Sequence, residues 1–274
     1  MPFSTLIGND RIKNLLKRSL AEGRIGQSLL MAGPRGVGKY QFAIALAQAL
    51  NCERLKMADA CGECIACRKI ACKEHADVRT ILRESQDPSV KKDYKSQFIK
   101  IEQTRAMSEQ SQFRPYEGRR RVFIIDDAEC LQHQAANSLL KTLEEPPDTS
   151  LIILITAKPY ALLDTILSRC LMLNFTPLTT AEIERHLQTV DRLSGEARLR
   201  ARLANGSIGR AIEIDLGAYR EMRNVLLELV ETLAFSRDSI KLLSAAEYLG
   251  RKLDKDEFEK HLDALIVLFR DLFN

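Results

Sequence analysis

The chain has 274 residues, 45% of them apolar, more than one ordinary domain needs and enough for two or three domains with a real core. Its 41 basic and 37 acidic residues leave a net charge of +4, a near balance that lacks the basic bias of a dedicated nucleic-acid binder and reads as a mixed, solvated surface. No apolar run reaches the ~18 residues of a membrane span, and Met1-Pro2-Phe3-Ser4 lacks the basic and apolar regions of a signal peptide, which places the chain in the cytoplasm.

Residues 27–32 (QSLLMA) read as a buried strand and residues 40–50 (YQFAIALAQAL) as a helix with a wide apolar face. Between them runs Gly33-Pro34-Arg35-Gly36-Val37-Gly38-Lys39, a phosphate-binding loop in its required strand–loop–helix context. Its glycines let backbone N–H groups turn toward phosphate oxygens, the following helix adds its positive end, and Lys39 reaches for the β- and γ-phosphates. Gly33, Gly36, Val37, Gly38 and Lys39 are therefore candidate nucleotide-binding residues. The next position calls for a Ser or Thr hydroxyl on Mg²⁺. Here it is Tyr40, whose phenol oxygen sits too far from the backbone to take that place. The loop is expected to hold its metal poorly, and Tyr40 itself is a candidate to fill the pocket.

Seven cysteines follow an uneven distribution, four of them between Cys61 and Cys72. In a reducing cytosol such clustering reads as metal ligation rather than disulfides. Cys61, Cys64 and Cys67 form C-x2-C-x2-C, and Cys52 lies nine residues before Cys61. Tetrahedral zinc needs four such ligands; spacing alone leaves Cys52, Cys72 and His75 competing for the fourth place. Cys130 and Cys170 read as packing residues.

Residues 78–82 form a weaker strand pattern, and residues 84–96, polar with Lys91, Lys92 and Lys95, read as a surface loop. Arg119-Arg120-Arg121 reads as a solvated loop rather than a DNA contact, with Arg121 entering the strand over 121–126 (RVFIID). At the end of that strand Asp126 is expected to assist Mg²⁺. The next residue, which would activate water as a Glu, is Asp127, one methylene shorter. With Tyr40, this makes slow or absent ATP hydrolysis the expectation. Residues 151–156 (LIILIT) and 170–175 (CLMLNF) complete five strands, which helices separate, so a parallel sheet covered on both faces is expected.

Beyond Pro177 only helices are expected, at about 180–188, 194–204, 209–216, 219–235, 238–250 and 254–273. Thr179 and Glu182 have capping-box spacing at the first of them. In the last, Phe258, Leu262, Leu265, Ile266, Phe269 and Leu272 keep helical spacing and the chain stops at Asn274 with the pattern still running. Two readings stay open: a helical domain incomplete here or completed by a partner, and a self-sufficient last helix with frayed ends.

Two further segments carry a resemblance. Residues 135–147 (AANSLLKTLEEPP) follow the second acidic motif, and Ser168-Arg169-Cys170 comes after them. With the motifs above, the chain resembles the clamp-loader subunits of bacterial DNA polymerase III, within the AAA+ P-loop family, and their delta-prime type most closely, from about residue 7 to residue 210. The resemblance implies an α/β fold: an AAA+ P-loop parallel-sheet domain at 1–176 with a zinc module inserted at about 52–72, a small helical lid domain at 177–216, and a C-terminal helical collar domain at 217–274, for whose end both readings above stay open. It implies Cys52, with Cys61, Cys64 and Cys67, as the ligands of a structural Zn²⁺, and puts Thr156 at the first sensor position. It makes Arg169 an arginine finger, a planar guanidinium offered in trans to a neighbouring subunit's ATP. Motor subunits of the family keep Ser or Thr after the P-loop lysine, Glu after the Asp, and an arginine directly after Gly-Ser-x. Here Gly206-Ser207-Ile208 is followed by Gly209 and only then Arg210. Delta-prime subunits often lose such residues and serve as stators. The implied partners are delta and tau/gamma subunits in a hetero-pentameric ring, with the sliding clamp and primed DNA reached through the complex, and no membrane. The implied cofactors are Zn²⁺ and, only where the cradle is used, ATP with Mg²⁺. The chain would then be a component of a DNA-directed DNA polymerase holoenzyme. Two alternatives compete: an ATP-hydrolysing tau/gamma-type motor subunit, against which Tyr40 and Asp127 speak, and an unrelated P-loop kinase or regulatory ATPase with a zinc knuckle, against which the Ser168-Arg169-Cys170 stretch speaks.

Overall fold

The computed structural model describes residues 2–83, 97–190 and 195–235, together with Leu262, Leu265, Ile266 and Phe269. The loop expected at 84–96 and, apart from those four residues, the helices expected at 238–250 and 254–273 lie outside the described residues.

The apolar, β-branched runs become five parallel strands: β1 (Ser28–Ala32), β2 (Val78–Ile81), β3 (Arg121–Ile125), β4 (Ser150–Thr156) and β5 (Leu171–Asn174), in the order β2-β3-β4-β1-β5. Register aligns the carboxyl ends of the central strands: Ala32 lies opposite Thr156 on one side and Asn174 on the other, and Ile125 lies opposite Leu154. All seven residues of β4 are buried. Alternate side chains of this strand enter opposite cores, as the two-residue period of a strand requires. Ile153 and Ile155 join Leu29, Met31, Phe42 and Leu46 on the face carrying helices α1 (Asp10–Ala21), α2 (Lys39–Asn51) and α3 (Ile65–Ala71). Ile152 and Leu154 join Leu30, Phe123, Met107, Leu139 and Ile166 on the face carrying α4 (Ile101–Ser111), α5 (His133–Glu144) and the one-turn α6 (Asp164–Leu167). The sheet is thus covered on both faces. This arrangement directs function to the crevice beyond the strands' carboxyl ends.

The loop before β3 is held unusually firmly. Asp77, 0% exposed, accepts the N–H groups of Tyr116, Glu117 and Gly118 at 2.7, 2.8 and 2.8 Å and pairs with Arg121 at 3.1 Å. Asn51 Oδ1 accepts the N–H groups of Arg119 and Arg120. The backbone of the basic run read as solvated is therefore fastened at Arg119 and Arg120 to one buried side chain, Asn51, and the Arg121 side chain is a partner of a buried carboxylate.

After Phe175 come α7 (Thr180–Gln188), α8 (Ala197–Leu203), α9 (Ile208–Glu213) and α10 (Leu216–Phe235). The capping box forms as read: Thr179 N–H donates to Glu182 Oε2 at 2.8 Å and Glu182 N–H to Thr179 Oγ1 at 3.3 Å. Leu178, Ile183, Leu187, Ala197, Ala201, Ala204 and Ala211 give α7–α9 a small core of their own. The helix expected over 209–216 is corrected: α9 stops at Glu213, because Asp215 caps the next helix by accepting N–H groups of Gly217 and Ala218 at 2.8 and 3.2 Å.

Candidate phosphate cradle, cysteine cluster and rim arginine

The cradle lies where β1 ends. Gly36 has φ +72°, and a Cβ there would stand 2.0 Å from Ser207 Oγ; a Cβ on Gly33 would stand 2.4 Å from Phe175 O. Only glycine permits this close approach of the loop to its neighbours. Val37 is 1% exposed, and α2 starts at Lys39 with its positive end at the loop. Lys39 Nζ donates to Gly33 O and Pro34 O, both at 2.6 Å. Burial lowers the Lys39 pKa against the opposing pull of Asp126, Glu129 and Asp127. Burial, with the charge of Asp127, raises that of Asp126 at the end of β3. Both groups are thus pushed toward neutrality by the same dry surroundings.

A cavity of about 760 Å³ opens here, lined by Lys39, Tyr40, Asp126, Asp127, Thr156 and Arg210 among others. Its wall includes the start of α9, where Gly209 N–H donates to Gly36 O at 3.0 Å. The remaining predicted residues are gathered at this mouth, each with an intramolecular partner. The Tyr40 hydroxyl is 3.1 Å from Thr80 Oγ1 on β2, so the phenol is tethered toward the sheet edge while its residue lines the cavity. Asp127, in the left-handed region at φ 52°, pairs with Arg83 at 2.9 Å. Thr156 Oγ1 donates to Glu129 Oε2 at 2.7 Å and accepts from Lys158 N–H at 2.9 Å. Arg83 and Glu129 were not singled out from sequence. Both follow the carboxyl end of a strand, the location where ligand residues of open α/β sheets concentrate, and that was the available signal.

The cysteine cluster sits between the end of α2 and the start of α3. Sγ atoms of Cys52, Cys61, Cys64 and Cys67 all lie within 4.8 Å of one another. Zinc–sulfur bonds of ~2.3 Å in a tetrahedron require sulfurs roughly 3.8 Å apart, so this donor set fits that ion. N–H groups of Cys61, Cys64 and Cys67 point at the sulfurs of Cys52, Cys61 and Cys64, at 3.3, 3.3 and 3.5 Å, which supports thiolate character. The N–H of Glu63, first among several donors, brings the Cys61 thiol down to about 6, while burial pushes Cys52 and Cys67 up. Cys72 is exposed at the end of α3, and His75 accepts the N–H of Asp77 at 3.1 Å through Nδ1; neither joins the group of four. The cluster could hold a metal such as zinc, with four thiolates and hence no open coordination position.

Arg169 is far from the cradle. It follows α6 and precedes Leu171, the first residue of edge strand β5, whose last residue Asn174 pairs with Ala32 beside the loop. Roughly 10 Å of strand, three steps at ~3.3 Å each, separates the two ends of β5. Its Nε and Nη2 both donate to Glu144 Oε1, the former at 2.7 Å, and Nη1 donates to Thr165 O at 2.9 Å. Cys170 beside it packs against the α5–α6 core, and burial lifts its thiol pKa to about 12. Among the described residues no helix is long and apolar enough to cross a membrane.

Comparison with known proteins gives a consistent family. A family model described as "DNA polymerase III, delta subunit" matches residues 8–179. DNA polymerase III subunit tau of Escherichia coli (strain K12) is 35% identical over 77% of this chain, and the chain spans about a third of that protein, 32%. DNA polymerase III subunit delta' of Bacillus subtilis (strain 168) is 31% identical over 96% of this chain and 77% of its own length. Among solved structures, a gamma-subunit-related protein from Thermotoga maritima covers 91% of this chain and 76% of its own, with 20% identity and a TM-score of 0.41. A sheet ordered β2-β3-β4-β1-β5 with a glycine loop after β1, a family match across more than half the chain and relatives of one kind all agree: the chain belongs to the clamp-loader subunits of bacterial DNA polymerase III.

Proposed function

We propose that the chain is a delta-prime-like stator in the ring that loads the sliding clamp onto primed DNA. It lends Arg169 to the ATP of a neighbouring tau/gamma-type subunit and hydrolyses little or none itself. The observation that carries this is the occupation of its own catalytic groups. Lys39 is turned onto loop carbonyls, Asp127 onto Arg83, the Thr156 hydroxyl onto Glu129, and Tyr40 replaces the hydroxyl that would bind Mg²⁺. Arg169 lies just before the amino end of edge strand β5, at the opposite end of that strand from the cradle, and this reading assigns it to a neighbouring molecule's site. The relatives, including the delta' protein aligned over 96% of this chain, support membership in the clamp-loader complex, and the reading takes delta and tau/gamma as the partners there. In the domain terms of this reading, 1–176 is the P-loop domain, 177–216 the lid and 217–274 the collar. The four cysteines hold one structural Zn²⁺.

The test is ATP turnover. Purified chain should show negligible hydrolysis, with or without DNA and clamp. In the reconstituted complex, Arg169→Ala should lower stimulated hydrolysis by ~10³-fold while the ring stays assembled. Robust turnover by the chain alone would instead support the second reading, a motor subunit. That reading is favoured by one observation, the 35% identity to the tau subunit together with the intact loop glycines and Lys39.

A further inference from the structure

We infer that Glu144 is a positioning residue for Arg169, fixing the guanidinium in the orientation that meets the neighbouring triphosphate. The inference rests on the reading of Arg169 given above. Both backbones are rigid at this corner. Glu144 is the last residue of α5, one position after Leu143, which is 3% exposed, and Pro146-Pro147 constrain the chain that leaves it. Arg169 N–H donates to Ile166 O at 3.1 Å, and Ile166 is fully buried. The side chain that spans these supports would otherwise sample many rotamers. Instead every guanidinium nitrogen is engaged: Nε and Nη2 on Glu144 Oε1, Nη1 on Thr165 O at 2.9 Å and on Ser168 Oγ at 3.3 Å. A guanidinium has five N–H groups. These four bonds leave the second Nη2 proton, for which no acceptor exists among the described residues.

Stability does not account for a glutamate at this place. The pair is surface-exposed, Arg169 by 31% and Glu144 by 47%, and such pairs contribute little. A carboxylate at a helix carboxyl end also opposes the helix dipole. What Glu144 does achieve is to hold the Nε–Nη2 edge of Arg169 in one orientation, with the second Nη2 proton left over. A charged fork held in place before the reaction stabilises the transition state without reorganising.

The experiment is ATP hydrolysis by the reconstituted clamp-loader complex with clamp and primed DNA, with assembly checked by gel filtration. Glu144→Ala should lower kcat on the order of 10-fold with KM for ATP unchanged, the pattern of an interaction used only in the transition state. Glu144→Asp, too short to span the gap, should lose as much, whereas Glu144→Gln, which keeps an acceptor oxygen, should recover most of the rate. In an Arg169→Ala background Glu144→Ala should add nothing. Wild-type or faster turnover by Glu144→Ala, or the same fractional loss on top of Arg169→Ala, overturns the role of Glu144 alone. Unchanged turnover by Arg169→Ala overturns the reading of Arg169 beneath it.

Discussion

The cysteine cluster and the phosphate cradle are both assembled from motifs visible in the sequence, yet they differ in what their groups are doing. In the cluster, four sulfurs converge on a common centre, and backbone N–H groups turn toward three of them. Such convergence is costly unless something with positive charge sits at the middle. In the cradle, Lys39, Asp127 and Thr156 each have a partner within the chain. A site whose groups point at one another needs its ligand to complete the structure; a site whose groups are already paired does not. Ligand dependence should therefore be strong at the first and weak at the second.

The largest test of that contrast is metal removal. Metal analysis should find about one zinc per chain, and a chelator should cost several kcal/mol of stability, since structural zinc sites are worth ~10–16 kcal/mol in small domains. Cys64→Ser should reduce bound zinc and lower the melting temperature of the chain even in excess metal. Full zinc occupancy in that variant would break the comparison at its first term. The corresponding change in the cradle, Lys39→Ala, should leave the clamp-stimulated ATPase of the complex within about twofold, because under the proposed stator role hydrolysis takes place in a neighbouring subunit. A loss as large as that of Arg169→Ala would place catalysis in this chain after all.

A third effect, smaller, concerns the fastening of the loop before β3. Replacing Asp77 by Asn removes a buried charge that accepts three N–H groups and pairs with Arg121, and should cost about 2–4 kcal/mol in denaturant unfolding. Burial alone would raise the Asp77 pKa, but those donors outweigh it and hold the carboxyl below its usual range. A carboxyl depressed on folding contributes stability that is complete above its unfolded pKa of ~3.9 and is lost as pH falls through its folded value. Burial likewise lowers His75, which is 4% exposed, so its contribution is lost earlier, as pH falls below ~6.5. Unfolding free energy measured against pH should fall in two windows, and the lower one should flatten in Asp77→Asn.

The parts of this molecule that sequence made legible are those encoded by local pattern. The five strands, the loop glycines at 33, 36 and 38, the capping box at Thr179 and Glu182, and the spacing of Cys61, Cys64 and Cys67 are all statements about neighbours in the chain. What spacing left open, the fourth cysteine, was a matter of which side chain folds onto the other three: Cys52 does, while Cys72 and His75 are turned elsewhere. Arg83, Glu129 and Glu144 were illegible for the same reason. Each acts through a partner 25 to 44 positions away, and no periodicity announces such pairs. The break between α9 and α10, expected at 217–218, falls at 214–215, because Asp215 supplies the capping carboxylate of α10.

The smallest expected effect sharpens the comparison most. Tyr40→Thr with Asp127→Glu restores the P-loop and second acidic motif of an ATP-hydrolysing subunit. If sequence departures alone disable the cradle, this double variant should gain turnover. The geometry gives a different expectation. Arg83 still stands ready to pair with a carboxylate at position 127, Glu129 still takes the only proton of the Thr156 hydroxyl, and Gly209 still caps onto Gly36 where motor subunits offer an arginine. These three contacts are thus untouched by the two replacements. ATP turnover by the purified double variant should stay within about tenfold of the wild-type background, far below the ~10²–10⁴-fold expected from restoring a general base in a working site. Adding Glu129→Gln, which weakens the hold on Thr156, should then raise turnover where the first two changes did not, and a double variant already active without it would show that the carboxylate pairings are incidental.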